Sequence, residues 1–476
     1  MGSRKVTTWQ DRSITVAGLG VSGISAARAL AGLGARITVV DGGDSATHRA
    51  RAAELESEGI AVRLADPDTL PEGTELVVTS PGWKPDSPLF AQAAKAGVDV
   101  VGDVEIAWQL RGPGAAPWLA ITGTNGKTTT TQMLASILTA EGLRTAAVGN
   151  IGTPIIDVVL QGEAYDVLAV ELSSYQLHWA PSLRAHSAAV LNLAPDHLDW
   201  HGSMDAYAAD KGRIYEGNQT ACVYNVADEA TEHLVREADV EEGCRAIGFT
   251  LGAPGPSQLG IVDGILVDRA FVTNRQKNAQ ELAEVSDVTP AAPHNLANAL
   301  AAAALARAYG VKPASVREGL RAFRPDAHRI EHVADVAGVT YIDDSKATNT
   351  HATEASLAAY ESIVWIAGGL AKGATFDALV TRSAKHLRGV VLIGADRALI
   401  AEALARHAPE VPVVDLDRTD TGAMSAAVRE AAALAKPGDT VLMAPACASM
   451  DMFANYNERG EAFADAVREL ADDTGR

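Results

Sequence analysis

The chain has 476 residues, 47% of them hydrophobic and 21% charged, which is apolar material for two or three cored domains and excludes a single small module or extensive disorder. Sixty acidic against forty basic side chains leave a formal charge of −20, so most of the surface repels nucleic acid and anionic membranes, and an anionic ligand needs locally concentrated positive charge. Cys222, Cys244 and Cys447 form neither a disulfide framework nor a CxxC pair. The opening MGSRKVTTWQDR has no apolar core, and the Ala-rich run 296–308 is too short to span a bilayer, so a cytoplasmic protein is expected.

In chain order, Ser13 to Val40 reads as strand, Gly turn, helix through Ile24, Ala27 and Leu30, and strand, a βαβ unit. Its turn, Gly18-Leu19-Gly20-Val21-Ser22-Gly23, matches GxGxxG, and Asp41 ends the second strand where an NAD site keeps its ribose-binding acid. The same turn offers a helix N-terminus to any diphosphate. NAD, a nucleotide sugar and a purely structural turn all stay open on these residues alone.

A second series opens at Trp118 and carries Thr122-Gly123-Thr124-Asn125-Gly126-Lys127-Thr128-Thr129 between a strand and a helix. Glycines let backbone N–H groups close around phosphate oxygens, Lys127 reaches the terminal phosphates, and the Thr128 hydroxyl can ligate Mg²⁺. The loop is a shortened P-loop, with Ile121 six residues before the lysine where the general pattern has glycine. Parallel-strand candidates follow at 167–174, where Glu171 ends the run VLAVE, and at 188–197. A carboxylate at the C-terminal end of such a strand, near Lys127, suits a metal bridge. Asp196, His197, Asp199 and His201 follow the second run, and a zinc site, a single His ligand for magnesium or a plain loop are the readings. Lys211 sits in a helical pattern from Met204 to Tyr215 and reads equally as a solvated surface lysine. Asp263-Gly264 between two apolar runs predicts a hairpin in a peripheral insertion over 250–290.

The third series, VTYIDDS, SIVWIAGG, GVVLIGA, VPVVDLD and DTVLMAPA, reads as another doubly wound sheet. Asp343-Asp344-Ser345-Lys346-Ala347-Thr348-Asn349 leaves one strand with a cation and hydroxyls suited to an anion, and Ala446-Cys447-Ala448-Ser449 leaves another. No histidine is placed beside Cys447, which reads as a packed thiol. RGPGAAP at 111–117 and Phe323-Arg324-Pro325-Asp326 separate the series. The expected fold is α/β with three domains: a Rossmann-like domain over 1–115, a central P-loop ATPase-type, mostly parallel sheet over 116–325, and a C-terminal Rossmann-like domain over 326–476.

Together these motifs resemble the Mur ligase family of ATP-dependent amide-forming enzymes of peptidoglycan precursor synthesis. VGNIGTP, VELSSYQL, DDSKATN and PACASMD are similar to the branch that adds D-glutamate. The resemblance implies ATP and two Mg²⁺ ions as cofactors. The implied substrates are UDP-N-acetylmuramoyl-L-alanine and D-glutamate, acted on by a monomer with no nucleic-acid or membrane partner. It also implies roles. Gly123 to Thr129 hold phosphates, Lys127 included, with Thr128 and Glu171 on one Mg²⁺. His197 and Lys211 hold a second, the family's counterpart of Lys211 being carbamylated. Asn295, Asn298, Arg329 and Asp344 surround ATP. Gly20, Val21, Ser22, Ser80 and Asn150 face the UDP substrate, and the family's uracil-contacting segment falls by position on Asp41 to Asp44. Lys346, Thr348, Lys372, Ser449 and Tyr456 receive D-glutamate and the reacting phosphate, Tyr456 standing where the family often has Phe.

Overall fold

The computed structural model describes residues 8–161, 165–325, 327–418, 420 and 422–474; the opening residues to Thr7 and the linker residue Asp326 lie outside them. The chain forms two compact units, Met1–Ala291 with Asn295–Phe323, and Ala292–His294 with Arg324–Arg476. The first contains two sheets and the second contains one.

The first sheet has strands β1 (Ser13–Ala17), β2 (Arg36–Val40), β3 (Ala61–Arg63), β4 (Leu76–Thr79) and β5 (Asp99–Gly102), all parallel, in the order β3-β2-β1-β4-β5. Strand order reverses between β1 and β4, and a crevice at that point is where doubly wound sheets take ligands. The Gly18 turn leaves β1 there and Ser80 follows β4.

The central sheet comprises β6 (Trp118–Thr122), β7 (Ala147–Gly149), β8 (Leu168–Glu171), β9 (Ser187–Val190), β10 (Ala221–Asn225), β11 (Arg245–Phe249), β12 (Gln258–Val262), β13 (Ile265–Asp268) and β14 (Gln280–Glu284). Its order is β14-β13-β12-β11-β10-β9-β6-β8-β7, parallel from β7 to β12. β6, β8 and β9 are buried along their whole length, which explains their unbroken apolar runs. The insertion expected over 250–290 extends this sheet at its edge: β12 and β13 pair antiparallel with Val262 opposite Ile265, joined by Asp263-Gly264, both at positive φ.

In the second unit β15 (Glu331–Val336), β16 (Val339–Asp343), β17 (Ile363–Gly368), β18 (Leu387–Ile393), β19 (Val413–Asp415) and β20 (Thr440–Met443) are ordered β15-β16-β20-β17-β18-β19. Only β15 among them runs antiparallel to its neighbour. Among the described residues no helix is long and apolar enough to cross a membrane.

Polar bonds fasten the first two sheets to each other. Ser25 Oγ donates to Asp157 at 2.6 Å, Gly102 N to the Trp179 carbonyl at 2.8 Å, and Ser182 N to buried Glu105 at 2.9 Å. Helix Pro313–Ala322 also packs tightly on Lys127–Ala140, the helix that follows the P-loop. Ser136 Oγ donates to the Gly319 carbonyl at 2.7 Å, and a Cβ on Gly319 would overlap Ile137 Cα and lie 2.6 Å from its N. Gly319→Ala is therefore expected to destabilise the chain. Overpacking against rigid backbone costs about 1–3 kcal/mol, more than the helix-propensity gain of at most about 1 kcal/mol. A lowered urea midpoint is the expected result, and an unchanged or raised one contradicts this packing.

Candidate active site

The P-loop is shaped by its own glycines and by the strand end beside it. Gly123 has φ 151° and Gly126, which caps helix Lys127–Ala140, has φ 82°, conformations that a side chain disfavours. Asn192, just past β9, brackets the loop: its Oδ1 accepts from Asn125 N at 2.9 Å, its Nδ2 donates to the Asn125 carbonyl at 3.1 Å, and its own carbonyl accepts from Thr124 N at 3.0 Å. Thr124 Oγ1 lies 3.0 Å from the Tyr207 hydroxyl. Lys127 Nζ donates to the carbonyls of Gly123 (2.9 Å) and Thr124 (2.8 Å), while Thr128 and Thr129 are buried in the first helical turn. Asn298 Oδ1 lies so close to Gly126 that an added Cβ would overlap it, and Asn295, one turn away, donates from Nδ2 to the Pro290 carbonyl at 2.9 Å.

Lys211 is not a surface lysine. It is 2% exposed, with Nζ donating to the Gly123 carbonyl at 2.9 Å and lying 3.3 Å from Thr122 Oγ1 and 4.8 Å from the Tyr207 ring centre. Burial, reinforced by the charge of Lys127, pushes its pKa well below the usual lysine value. Glu171, 1% exposed at the end of β8, accepts from Asn150 Nδ2 at Oε1 (2.8 Å), whereas its Oε2 is buried without a hydrogen-bond partner among the described residues. An unpartnered buried carboxylate oxygen is costly unless a cation meets it, so this donor set fits Mg²⁺.

His197 stands at φ 54° at the start of the short helix Leu198–His201, its ring half-exposed against Tyr175. Burial lowers its pKa, with Lys127 and Lys211 adding to the effect against Asp196. The alternating His and Asp residues do not converge as a zinc site would require. His201 turns inward to Asp210 at 2.9 Å, while exposed Asp199 faces Lys84 at 3.7 Å. Burial alone would raise the pKa of Asp210, but hydrogen bonds from His178 and His201 hold it down at about 2.

At the first sheet's switch point Gly20 caps helix Val21–Gly32, Val21 is exposed, and Ser80 Oγ is buried without a partner among the described residues. Both carboxylate oxygens of Asp41 are engaged locally, accepting Leu19 N and Gly43 N at 2.7 Å each. That explains its position through the turn itself, without a ribose.

In the second unit, DDSKATN leaves β16 and ACAS leaves β20, which are neighbours. Burial raises Asp344 to about 6, and the Arg329 charge opposes this. Lys346 Nζ lies 5.3 Å from the Tyr456 ring centre, Thr348 N donates to the Lys346 carbonyl, Ser449 is buried, and Lys372 has φ 49°. Arg459, which sequence reasoning missed, ties the two loops: its guanidinium donates to Ser345 Oγ (3.0 Å), the Ser345 carbonyl (2.8 Å) and the Cys447 carbonyl (3.0 Å). Cys447 is a packed thiol, as expected, pushed up to about 12 by burial.

A shortened P-loop with buried Lys211 and Glu171 beside it fits an enzyme that uses ATP, and family comparison makes the class an ATP-dependent ligase. Residues 12–102 match the Mur ligase MurD-like N-terminal domain, 121–306 the Mur ligase middle domain, and 328–447 the Mur ligase glutamate ligase domain. The chain belongs to the Mur ligase family. It is 80% identical over 465 residues to the UDP-N-acetylmuramoylalanine--D-glutamate ligase of Streptomyces avermitilis, covering 98% of this chain and 100% of that one. The Thermobifida fusca ligase of the same name is 59% identical, with 97% and 99% covered. Among solved structures, UDP-N-acetylmuramate-alanine ligase from Thermotoga maritima shares the fold at 17% identity and TM-score 0.56, with 96% and 99% covered. A pseudomurein peptide ligase type C from Methanothermus fervidus does so at 17% and 0.59, with 97% and 100% covered.

Glu171→Gln removes the unpartnered negative charge and keeps the acceptor facing Asn150. The parent is expected to melt higher with Mg²⁺ and ADP, and the variant to melt no lower than the parent in metal-free buffer and to show no such rise. An equal Mg²⁺-dependent rise in both proteins contradicts a cation at this carboxylate.

Proposed function

We propose that the chain is an ATP-dependent ligase that joins D-glutamate to UDP-N-acetylmuramoyl-L-alanine through an acyl phosphate, in peptidoglycan precursor synthesis. The observation that carries this reading is near full-length identity of 80% to a relative of that name, in a chain that keeps Lys127, Glu171, His197 and Lys211.

The proposed domains, 1–115, 116–325 and 326–476, divide the labour. Gly20, Val21, Ser22 and Ser80, with Asn150 beyond them, receive the UDP substrate at a helix N-terminus suited to diphosphate. Gly123 to Thr129 wrap the β- and γ-phosphates, Lys127 balances their charge, and Asn295 and Asn298, with Arg329 and Asp344, take the rest of ATP. The substrate carboxylate attacks the γ-phosphorus and ADP leaves. The D-glutamate amine then attacks the acyl carbon, loses a proton, and phosphate departs. Lys346, Thr348, Lys372, Ser449 and Tyr456 hold D-glutamate and the reacting phosphate. Thr128 and Glu171 would hold one Mg²⁺ and His197 with Lys211 a second. Bound there, Mg²⁺ supplies positive charge for the crowded phosphate oxygens. Burial disfavours an ammonium at Lys211, and a neutral amine can add CO₂ to become a carbamate, releasing a proton and gaining an anionic oxygen. The cytoplasm is the proposed location and a monomer the proposed state.

The direct test is phosphate release from ATP with UDP-N-acetylmuramoyl-L-alanine and Mg²⁺. D-Glutamate is expected to stimulate it, and L-glutamate, meso-diaminopimelate and L-alanine are not. Equal stimulation by diaminopimelate assigns the chain to another branch.

For Lys211, the expected result is that Lys211→Ala is nearly inactive and that added acetate or formate restores part of its turnover by supplying a carboxylate in the vacated space. Lys211→Arg is expected to stay inactive, its fixed charge filling the site. Full activity of Lys211→Ala without added acid would remove Lys211 from the mechanism.

A further inference from the structure

The three proposed metal-ligand segments are joined behind the ligands by a closed chain of part-buried hydrogen bonds. Asp210, next to Lys211, has a side chain only 7% exposed. Its Oδ2 lies 2.9 Å from His201 Nδ1, both of its oxygens lie 2.9 Å from His178 Nδ1, and Arg213 Nε is 3.2 Å from Oδ1. The His201 side chain is fully enclosed, and its Nε2 lies 3.0 Å from Ser174 Oγ. All of these distances are satisfied with each Nδ1–H donating to the carboxylate and with His201 Nε2 and the Ser174 hydroxyl paired, either of which can be the donor.

Each link lies beside a ligand. Ser174 is three residues past Glu171, His201 is one helical turn past His197, and Asp210 adjoins Lys211. Ser174 and His178 are the two ends of one five-residue helix, so the chain closes on itself and grips that helix at both ends. Aromatic rings wall it off: Trp200 stands 4.4 Å from His201, Tyr207 5.2 Å and Tyr175 5.6 Å, centre to centre, and Trp179 stands 4.6 Å from His178. Replacing a buried ion pair by apolar side chains of similar volume is often neutral or stabilising, so stability alone does not account for such a network. What a charged, directional network adds is fixed relative position, and groups behind metal ligands that do this typically matter by 10- to 100-fold.

We propose that Asp210 is a positioning residue for the ligation, acting through His201, Ser174 and His178 to keep Glu171, His197 and Lys211 in mutual register for metal binding. This rests on the metal assignment proposed above for those three residues.

The test measures Mn²⁺ binding to the full-length protein with ADP, read as free Mn²⁺ by electron paramagnetic resonance, beside steady-state kinetics. Asp210→Ala is expected to weaken Mn²⁺ binding about 10-fold or more and to lower kcat about 10- to 100-fold, with KM for the UDP substrate within about 3-fold of the parent. Asp210→Asn, which keeps one acceptor, should recover most of the Mn²⁺ affinity. A folded Asp210→Ala protein with parental Mn²⁺ affinity overturns the proposal, whatever its melting temperature. If Asp210→Ala does not fold, Ser174→Ala decides: it removes only the hydroxyl from His201, and weakened Mn²⁺ binding supports the chain whereas unchanged binding overturns it. Lys211→Ala separates the two readings. Parental Mn²⁺ affinity in that variant removes the metal assignment and the proposal with it, whereas loss there combined with retention in Asp210→Ala overturns the positioning role alone.

Discussion

Two lysines share one carbonyl oxygen. Lys127 and Lys211 each place Nζ 2.9 Å from the oxygen of Gly123, so the two nitrogens can be no more than twice that distance apart. As ammonium ions they would repel by at least about 3 kcal/mol at an effective dielectric near 20. The neighbouring carboxylates of Asp196, Glu171 and Asp210 oppose that repulsion for Lys211, but burial and Lys127 outweigh them. The proposed resolution is chemical. A carbamate on Lys211 keeps an N–H for the Gly123 carbonyl and replaces the second positive charge with a negative one, leaving Lys127 as the cation for phosphate. In a protein of net charge −20, Lys127 and the proposed Mg²⁺ ions then supply the local positive charge that anionic phosphates need.

The frame around that centre follows from sheet topology. β6, β8 and β9 are adjacent in the central sheet, so the loops at their C-terminal ends bring together Lys127, Glu171, Asn192 and, through the chain after β9, His197. The first sheet is held to the same unit by Glu105, Asp157 and the Gly102–Trp179 bond, and Trp200 Nε1 donates to the Trp83 carbonyl at 3.1 Å. That last bond links the loop after Ser80 to the helix that follows His197. The Gly18 turn and the segments that carry Glu171, His197 and Lys211 are thus parts of one compact unit.

What was legible in the sequence was what the backbone dictates locally. The P-loop, the Gly18 turn, the Asp263-Gly264 hairpin and the apolar parallel strands each carry their signal within a few residues. Lys211 was ambiguous because its helix has no apolar face that marks the lysine as buried; Thr122, Gly123 and Tyr207 enclose it, two of them about ninety residues away in the chain. Asn192, Asp210 and Arg459 were not singled out for the same reason. Each looks like an ordinary polar residue until distant backbone or histidines arrive as partners, although an Asn inside the apolar run AAVLNLAP was a usable hint. The His-Asp run illustrates the opposite case, a local pattern suggestive of zinc whose members the fold turns in different directions.

The central claim, that Lys211 carries a carbamate, is open to direct observation. Carbon-13 NMR of the protein equilibrated with ¹³C-labelled bicarbonate and Mg²⁺ is expected to show a carbamate resonance that is absent from Lys211→Ala. Identical carbamate regions in the two spectra would mean that Lys211 stays an amine, and the account of how two lysines share the Gly123 carbonyl would be wrong.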